Sequence, residues 1–281
     1  MFCSIIIPYK NASKTIIRCF KSLIMQNLDS SYYEVIFIND FSDNLTTNLI
    51  KKIITNKNNI RIINAKVKTI GPGHARNLGI NASKGEYLYF LDSDDLLKKD
   101  ALKFLYKKSL IGNPDMICNN FEIIKNLKNL KYHERHDLNI LKNKKAFIKN
   151  YFNLSITGQV ISNLFKKDIL IKNKIFFKNG YFEDILFFFK AFYFSKKKLI
   201  TKKVLYTKVN TKNSIVNSIS TNHIKDGLKV YYQIYKFLIV SKKNKKKELK
   251  YFCMTALVGQ FAVLLKRIKS FNKYQNKKKK S

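Results

Sequence analysis

Proline and glycine are scarce in this 281-residue sequence, at three and nine residues, which excludes a collagen-like repeat, a proline-rich linker protein and a glycine-rich coil. Cysteine is equally sparse. Its four copies, Cys3, Cys19, Cys118 and Cys253, form no CxxC pair, which speaks against a zinc ribbon or a disulfide scaffold and for a reducing compartment. Long apolar runs are missing as well: the longest uncharged stretch near the C-terminus is residues 251–265, short of the ~20 residues a membrane-spanning helix needs. Met1 leads directly into Phe2-Cys3-Ser4-Ile5-Ile6-Ile7-Pro8, without the basic segment and cleavage site of a secretory signal. Acids are the last shortage. Eighteen Asp and Glu against 55 Lys and Arg leave a net charge of +37, a field that attracts nucleic acid, anionic lipid or phosphate-bearing substrates.

What is present suffices for a large core, since 46% of residues are apolar and 14% aromatic, a composition far from that of disordered chains. The first hundred residues alternate strand and helix patterns. Residues 2–7 read as a β-branched strand ended by Pro8, 35–38 as a second, 60–63 as a third and 87–91 as a fourth. Helical spacing covers 15–25, 45–54 and, after the turn Gly71-Pro72-Gly73, residues 74–82. Such alternation predicts an α/β fold: a mostly parallel, Rossmann-like sheet with helices on both faces. Residues 115–210 are less regular, with a helix at 185–194, and from about residue 222 the pattern is helical.

Ligands of such sheets sit at the carboxyl ends of the strands, where Asp40 and the cluster Asp92-Ser93-Asp94-Asp95 fall. Two carboxylates one residue apart can present oxygens to a hard divalent cation whose shell is completed by phosphate and water. The competing reading makes Asp94 or Asp95 the cap of a helix that starts at Leu96-Leu97. Asp40 is placed to accept an N–H from a nucleobase, or to form a turn, with Ser42-Asp43 extending the rim. Arg76, after the glycine turn, suits a pyrophosphate or a carboxylate. Glu183-Asp184 precedes the apolar run 185–189, either as complement to a helix dipole or as a carboxylate whose proton affinity is raised beside aromatic rings for use as a general base. The four histidines show no metal spacing.

Five stretches in this order, residues 4–9 with Asn11, 35–43, 71–79 containing Ala75-Arg76-Asn77-Leu78-Gly79, 85–95, and Phe182-Glu183-Asp184, resemble the inverting family 2 glycosyltransferases of the GT-A fold. The resemblance covers roughly residues 2–220. It implies a catalytic domain at 1–220 and a basic helical extension at 221–281. It also implies a metal-dependent hexosyltransferase using Mn²⁺ or Mg²⁺ and a nucleotide-sugar, UDP-linked on family frequency. Donor contacts would come from Pro8, Tyr9, Asn11, Asp40, Arg76, Asp92 and Ser93, metal ligation from Asp94 and Asp92, and catalysis from Asp184 with Glu183. The acceptor would be a hydroxyl of a glycan or lipid-linked carrier in surface polysaccharide or lipooligosaccharide synthesis. Two positions depart from the family pattern: Phe41 replaces the usual Gly, and Lys208 stands where Arg is frequent.

Residues 241–281 hold 14 of the basic residues and one acid. Lysines flank the apolar stretch 251–265, a pattern suited to a cytoplasmic protein attached peripherally to an anionic membrane surface, or to a helix that packs on the catalytic domain or in a homodimer. Two rival classes stay open: a glycosyltransferase-like binding protein without turnover, and a polyanion-binding protein. No pattern for specific nucleic-acid recognition is present.

Overall fold

The computed structural model describes residues 1–125, 129–133, 147–148, 159–210 and 221–241. Nine strands share one sheet: β1 Cys3–Tyr9, β2 Tyr33–Asn39, β3 Ile60–Asn64, β4 Tyr87–Phe90, β5 Leu96–Leu97, β6 Met116–Lys125, β7 Asn129–His133, β8 Asn163–Lys166 and β9 Lys198–Asn210. The order is β3-β2-β1-β4-β8-β6-β9-β5, with β7 paired to β6. Strands β1 to β4 are parallel, as are β6 and β9. The remaining pairings, β4 with β8, β8 with β6, β6 with β7 and β9 with β5, are antiparallel. The sheet is therefore mixed rather than mostly parallel.

Seven helices accompany it among the described residues: α1 Ile16–Ile24, α2 Asn44–Ile54, α3 Gly73–Ala82, α4 Ala101–Ser109, α5 Lys167–Lys172, α6 Glu183–Phe194 and α7 Thr221–Ser241. In α1 the buried residues Ile16, Cys19, Phe20 and Leu23 recur at helical spacing and pack with Ile5, Ile7, Val35 and Phe37 on one face of the sheet, together with residues of α2 and α4. The other face carries Ile6, Ile36 and Ile38 against α3, α6 and α7. Alternate residues of β1 thus serve two cores, as a strand covered on both faces requires. Residue 79 has to be glycine for this packing, because a β-carbon there would lie 2.3 Å from Cγ2 of the buried Ile6. Gly79→Ala is expected to lower stability by about 1–3 kcal/mol through overpacking, read as a reduced urea midpoint with unchanged m-value.

Two expectations change. Strand β1 continues through Pro8, which pairs with Ile38, to Tyr9; a proline near the strand end forfeits a single ladder donor. Leu96-Leu97 is not a helix start but a two-residue strand paired with Tyr206 and Thr207, and α4 begins only at Ala101. Asp94 and Asp95 therefore cap no helix. At the far end, Val230, Tyr231, Ile234 and Leu238 of α7 belong to the same core cluster as Phe187 and Phe188 of α6. Residues 242–281, with the stretch 251–265, lie outside the described residues, as do residues 211–220, where the expected boundary falls. No described helix is long and apolar enough to cross a membrane.

Candidate active site

At the carboxyl edge of the parallel strands, the loops after β1 and β2 are stitched together. The Asn11 backbone N–H donates to Ser42 Oγ at 2.8 Å, and the Asp43 N–H donates to Asn11 Oδ1 at 2.9 Å. Ser42 N–H in turn donates to Asn39 Oδ1 at 2.9 Å, while Asp43 caps α2 by accepting from Thr46 N–H at 2.7 Å. Asn11 and Phe41 both adopt left-handed backbone, at φ 50° and 55°, which explains why glycine is the usual residue where Phe41 stands. The Phe41 ring is turned outward, 44% exposed.

Inside this rim Asp40 is 6% exposed and its Oδ1 has no hydrogen-bond partner. Buried carboxylate oxygens are rarely left orphaned, and this one suits a ligand N–H. Its backbone N–H donates to the Tyr9 carbonyl at 3.0 Å. Tyr9 itself is 1% exposed, with its ring edge-on to Phe37, and Pro8 is buried too. Pro8 and Tyr9 are expected as lining of the base pocket; the Tyr9 ring belongs to the core, because residues at 5, 7 and 9 share one strand face. Asn11 likewise spends its amide oxygen on holding the rim.

Beyond β4 the chain turns, with Asp95 N–H donating to the Asp92 carbonyl at 3.1 Å. Asp95 is structural. It accepts the Tyr206 hydroxyl at 2.5 Å and the Val209 N–H at 2.7 Å, and Asp92 N–H donates to Tyr206 Oη at 3.3 Å. Arg18 of α1 adds a donor to the Asp94 carbonyl at 2.7 Å. These contacts hold the turn so that Asp92, Ser93 and Asp94 stay partly accessible. Burial and the neighbouring Asp92 charge push the Asp94 carboxyl up to about 6, against the opposing influence of Lys208 and Arg18. Two crowded carboxylates of this kind fit a hard divalent cation. No group of three or more His, Cys, Asp or Glu is assembled for a metal among the described residues, so such an ion would need substrate oxygens to complete its shell.

Arg76 lies at the centre. It is 4% exposed and its guanidinium bridges two carboxylates, donating to Glu183 Oε1 at 2.6 Å and Asp92 Oδ1 at 2.7 Å. Of the two partners its sequence position left open, the carboxylate is the one engaged. The bridge joins the turn after β4 to the start of α6. Gly71 and Gly73 permit the close approach of that segment, since a β-carbon at Gly71 would meet the Gly180 carbonyl at 2.9 Å and one at Gly73 the Lys178 carbonyl at 2.8 Å. Asn77 exchanges two hydrogen bonds with the Phe177 backbone, each 2.9 Å.

Glu183 and Asp184 open α6. Glu183 is committed to Arg76, whereas the Asp184 carboxyl is pushed up to about 7 by burial and the adjacent Glu183, while Arg76 and Lys208 pull the other way. A carboxylate held there is suited to proton abstraction near neutral pH. Arg18 and Tyr206 carry parts of this site that motif reading assigned nothing, and Lys208, which stands where the family pattern has Arg, acts on the charge of both Asp94 and Asp184. Arg18 and Tyr206 act on backbone atoms more than 70 residues away, and no local pattern signals that.

The model of glycosyl transferase family 2 matches residues 4–174. Among curated relatives, a poly(ribitol-phosphate) β-N-acetylglucosaminyltransferase, TarP of Staphylococcus aureus, is 31% identical over 173 residues, 61% of this chain and 50% of that protein. A poly(ribitol-phosphate) β-glucosyltransferase of Bacillus spizizenii is 34% identical over 113 residues, 40% of this chain and 18% of the relative. The aligned region thus spans half or less of these relatives' lengths. Among solved structures, residues 1–349 of S. aureus TarS in complex with UDP-GlcNAc superpose with a TM-score of 0.77 at 21% identity, covering 93% of this chain and 73% of that fragment. A Pyrobaculum calidifontis mannosyltransferase in complex with GDP-Man and Mn²⁺ gives 0.59 at 15% identity, covering 95% and 75%.

Proposed function

As the chain belongs to glycosyl transferase family 2 and has the GT-A fold, we propose that it moves a hexose or N-acetylhexosamine from a UDP-sugar to a hydroxyl of a surface-glycan acceptor, with inversion. The observation that carries this reading is the row of acids at the carboxyl ends of neighbouring strands: an orphan carboxylate oxygen on Asp40 after β2, the Asp92–Asp94 pair after β4, and Asp184 joined to that pair through Glu183 and Arg76. Asp40 Oδ1 accepts the imide N–H of uracil. Asp94 and the second oxygen of Asp92 would hold Mn²⁺ or Mg²⁺, and such an ion would supply positive charge to offset that of a diphosphate. Asp184 takes the proton of the acceptor hydroxyl as that oxygen attacks the anomeric carbon opposite the leaving UDP. One displacement inverts the configuration. Glu183 and Arg76 position Asp184 and touch no reacting atom, and Lys208 lies close enough to both acids to add positive charge beside the diphosphate.

The relatives' activities on poly(ribitol-phosphate) favour a surface-glycan acceptor, and a net charge of +37 suits one that bears phosphate. A thermal-shift panel of UDP-, GDP- and dTDP-sugars with and without Mn²⁺ tests the donor assignment. A UDP-sugar should stabilise selectively, with Mn²⁺, in proportion to the logarithm of its concentration over Kd. Stabilisation by none of them contradicts the reading, and binding without UDP release identifies a non-catalytic module.

A further inference from the structure

The segment that delivers Asp184 to the cleft is not held by its own helix. Phe182, the cap residue of α6, has left-handed backbone (φ 61°, ψ 30°) and offers no side-chain cap. Gly180, two residues before it, sits at φ 119°, which glycine adopts freely. A left-handed phenylalanine persists only where the surroundings impose it.

The surroundings come from two sides. On one, Gly180 N–H donates to the Ile70 carbonyl at 3.2 Å, and Ile70 N–H donates to Asn179 Oδ1 at 3.0 Å. On the other, α7 supplies two side chains one turn apart. Asp226 Oδ2 accepts the Tyr181 N–H at 2.9 Å, and its carboxylate lies so near that a β-carbon at Gly180 would be 2.8 Å away. His223, 6% exposed, stacks on the Tyr181 ring at 3.6 Å and 23° and stands edge-on to Phe182 at 6.2 Å. Neither residue touches the carboxylates of the cleft in any contact described above.

We propose that Asp226 and His223 of α7 are positioning residues that clamp the turn at residues 180–182 and so set the place of Asp184, which makes the first C-terminal helix part of the catalytic apparatus. The proposal rests on the assignment of Asp184 as base, but its structural half does not. Among the described residues the Asp226 carboxylate supplies the acceptor for Tyr181 N–H, and an asparagine oxygen can replace it, whereas alanine cannot.

Amide hydrogen–deuterium exchange on the full chain, with Asp226→Ala and Asp226→Asn, reads the clamp without any substrate. In Asp226→Ala, amides at residues 180–185 should exchange about tenfold faster or more, with β1 and β4 unchanged, because a local opening is released while the global fold stays. Asp226→Asn should remain within about threefold of the native chain at the same amides. UDP release from the UDP-sugar that stabilises the native chain supplies the second readout. Asp226→Ala should lose about 10–100-fold in kcat, as expected of a base displaced by an ångström or less, with donor KM nearly unchanged and kcat restored in Asp226→Asn. Native exchange at 180–185 in the alanine variant, faster exchange spread equally over β1 and β4, an asparagine variant no better than alanine, or full kcat despite a loosened turn would each overturn the proposal. Normal turnover by Asp184→Asn with the exchange pattern intact would instead overturn the base assignment and leave the clamp standing.

Discussion

Asp184→Asn is expected to lower kcat for sugar transfer by about 10²–10⁴-fold, the usual contribution of a general base, with UDP affinity essentially unchanged. The amide preserves shape and cannot take the acceptor proton. A matching loss of donor binding would show that Asp184 serves the donor instead. The pH dependence carries a second signature, because the native carboxyl is raised to about 7 and only its ionised form abstracts a proton. Native kcat should climb with pH through about 7 and level off above it, while the residual rate of Asp184→Asn should lack that limb. Stability should move the opposite way. With its folded-state proton affinity above that of the unfolded chain, Asp184 contributes stability in full below the ordinary carboxylate range, and that contribution is lost as pH rises towards 7. Asp184→Asn should therefore be more stable than the native chain at pH 8, by chemical denaturation, although it is inactive there.

Arg76→Met is expected to cost both stability and turnover. The guanidinium is buried and joins Glu183, itself mostly buried, to the more accessible Asp92. Removing one member of a buried ion pair typically costs about 3–5 kcal/mol, because the remaining charge is left uncompensated. Turnover should fall as well, since the bridge ties the start of α6 to the turn after β4. The double variant Arg76→Met, Glu183→Leu separates these effects. Replacing a buried pair by apolar side chains is often neutral for stability, so the urea midpoint should recover much of its loss while UDP release stays low. Recovery of both would mean that the bridge serves folding alone, and recovery of neither would show that Asp92 is the partner that matters.

The parallel half of the sheet was legible because strands covered on both faces read as unbroken apolar runs: β1, β2 and β4 are buried along nearly their whole length. The amphipathic helices between them were legible for the same reason in another period, as the buried spacing of Ile16, Cys19, Phe20 and Leu23 shows. Leu96-Leu97 misled because acids before two leucines imitate a helix start, whereas the decisive partner, Tyr206 and Thr207 on β9, lies some 110 residues on. The antiparallel half failed on similar grounds, since β8 returns beside β4 only after a long excursion and carries no register signal of its own.

Within the site, the acids stood out as motifs, but what each acid does depends on partners that motifs do not contain. Asp95 looks like Asp94 in the sequence and differs in the structure by the Tyr206 hydroxyl and Val209 N–H that occupy it. Glu183 and Asp184 are neighbours, and Arg76 alone sorts them into a tether and a free carboxylate. Tyr9 stands beside the rim in the sequence, and strand parity sends its ring into the core. His223 and Asp226 gave no sign at all: their partners at 180–182 are some 40 residues upstream, and contacts of that range leave no local trace.

Calorimetric titration of UDP into the native chain and into Asp94→Ala, each with and without Mn²⁺, tests most directly whether the acids of β2 and β4 form one nucleotide-diphosphate site. The native chain should bind UDP with a clear gain from Mn²⁺, and Asp94→Ala should lose that gain while retaining the weaker cation-independent binding supported by Asp40. UDP binding indifferent to both Mn²⁺ and the loss of Asp94 would contradict the account.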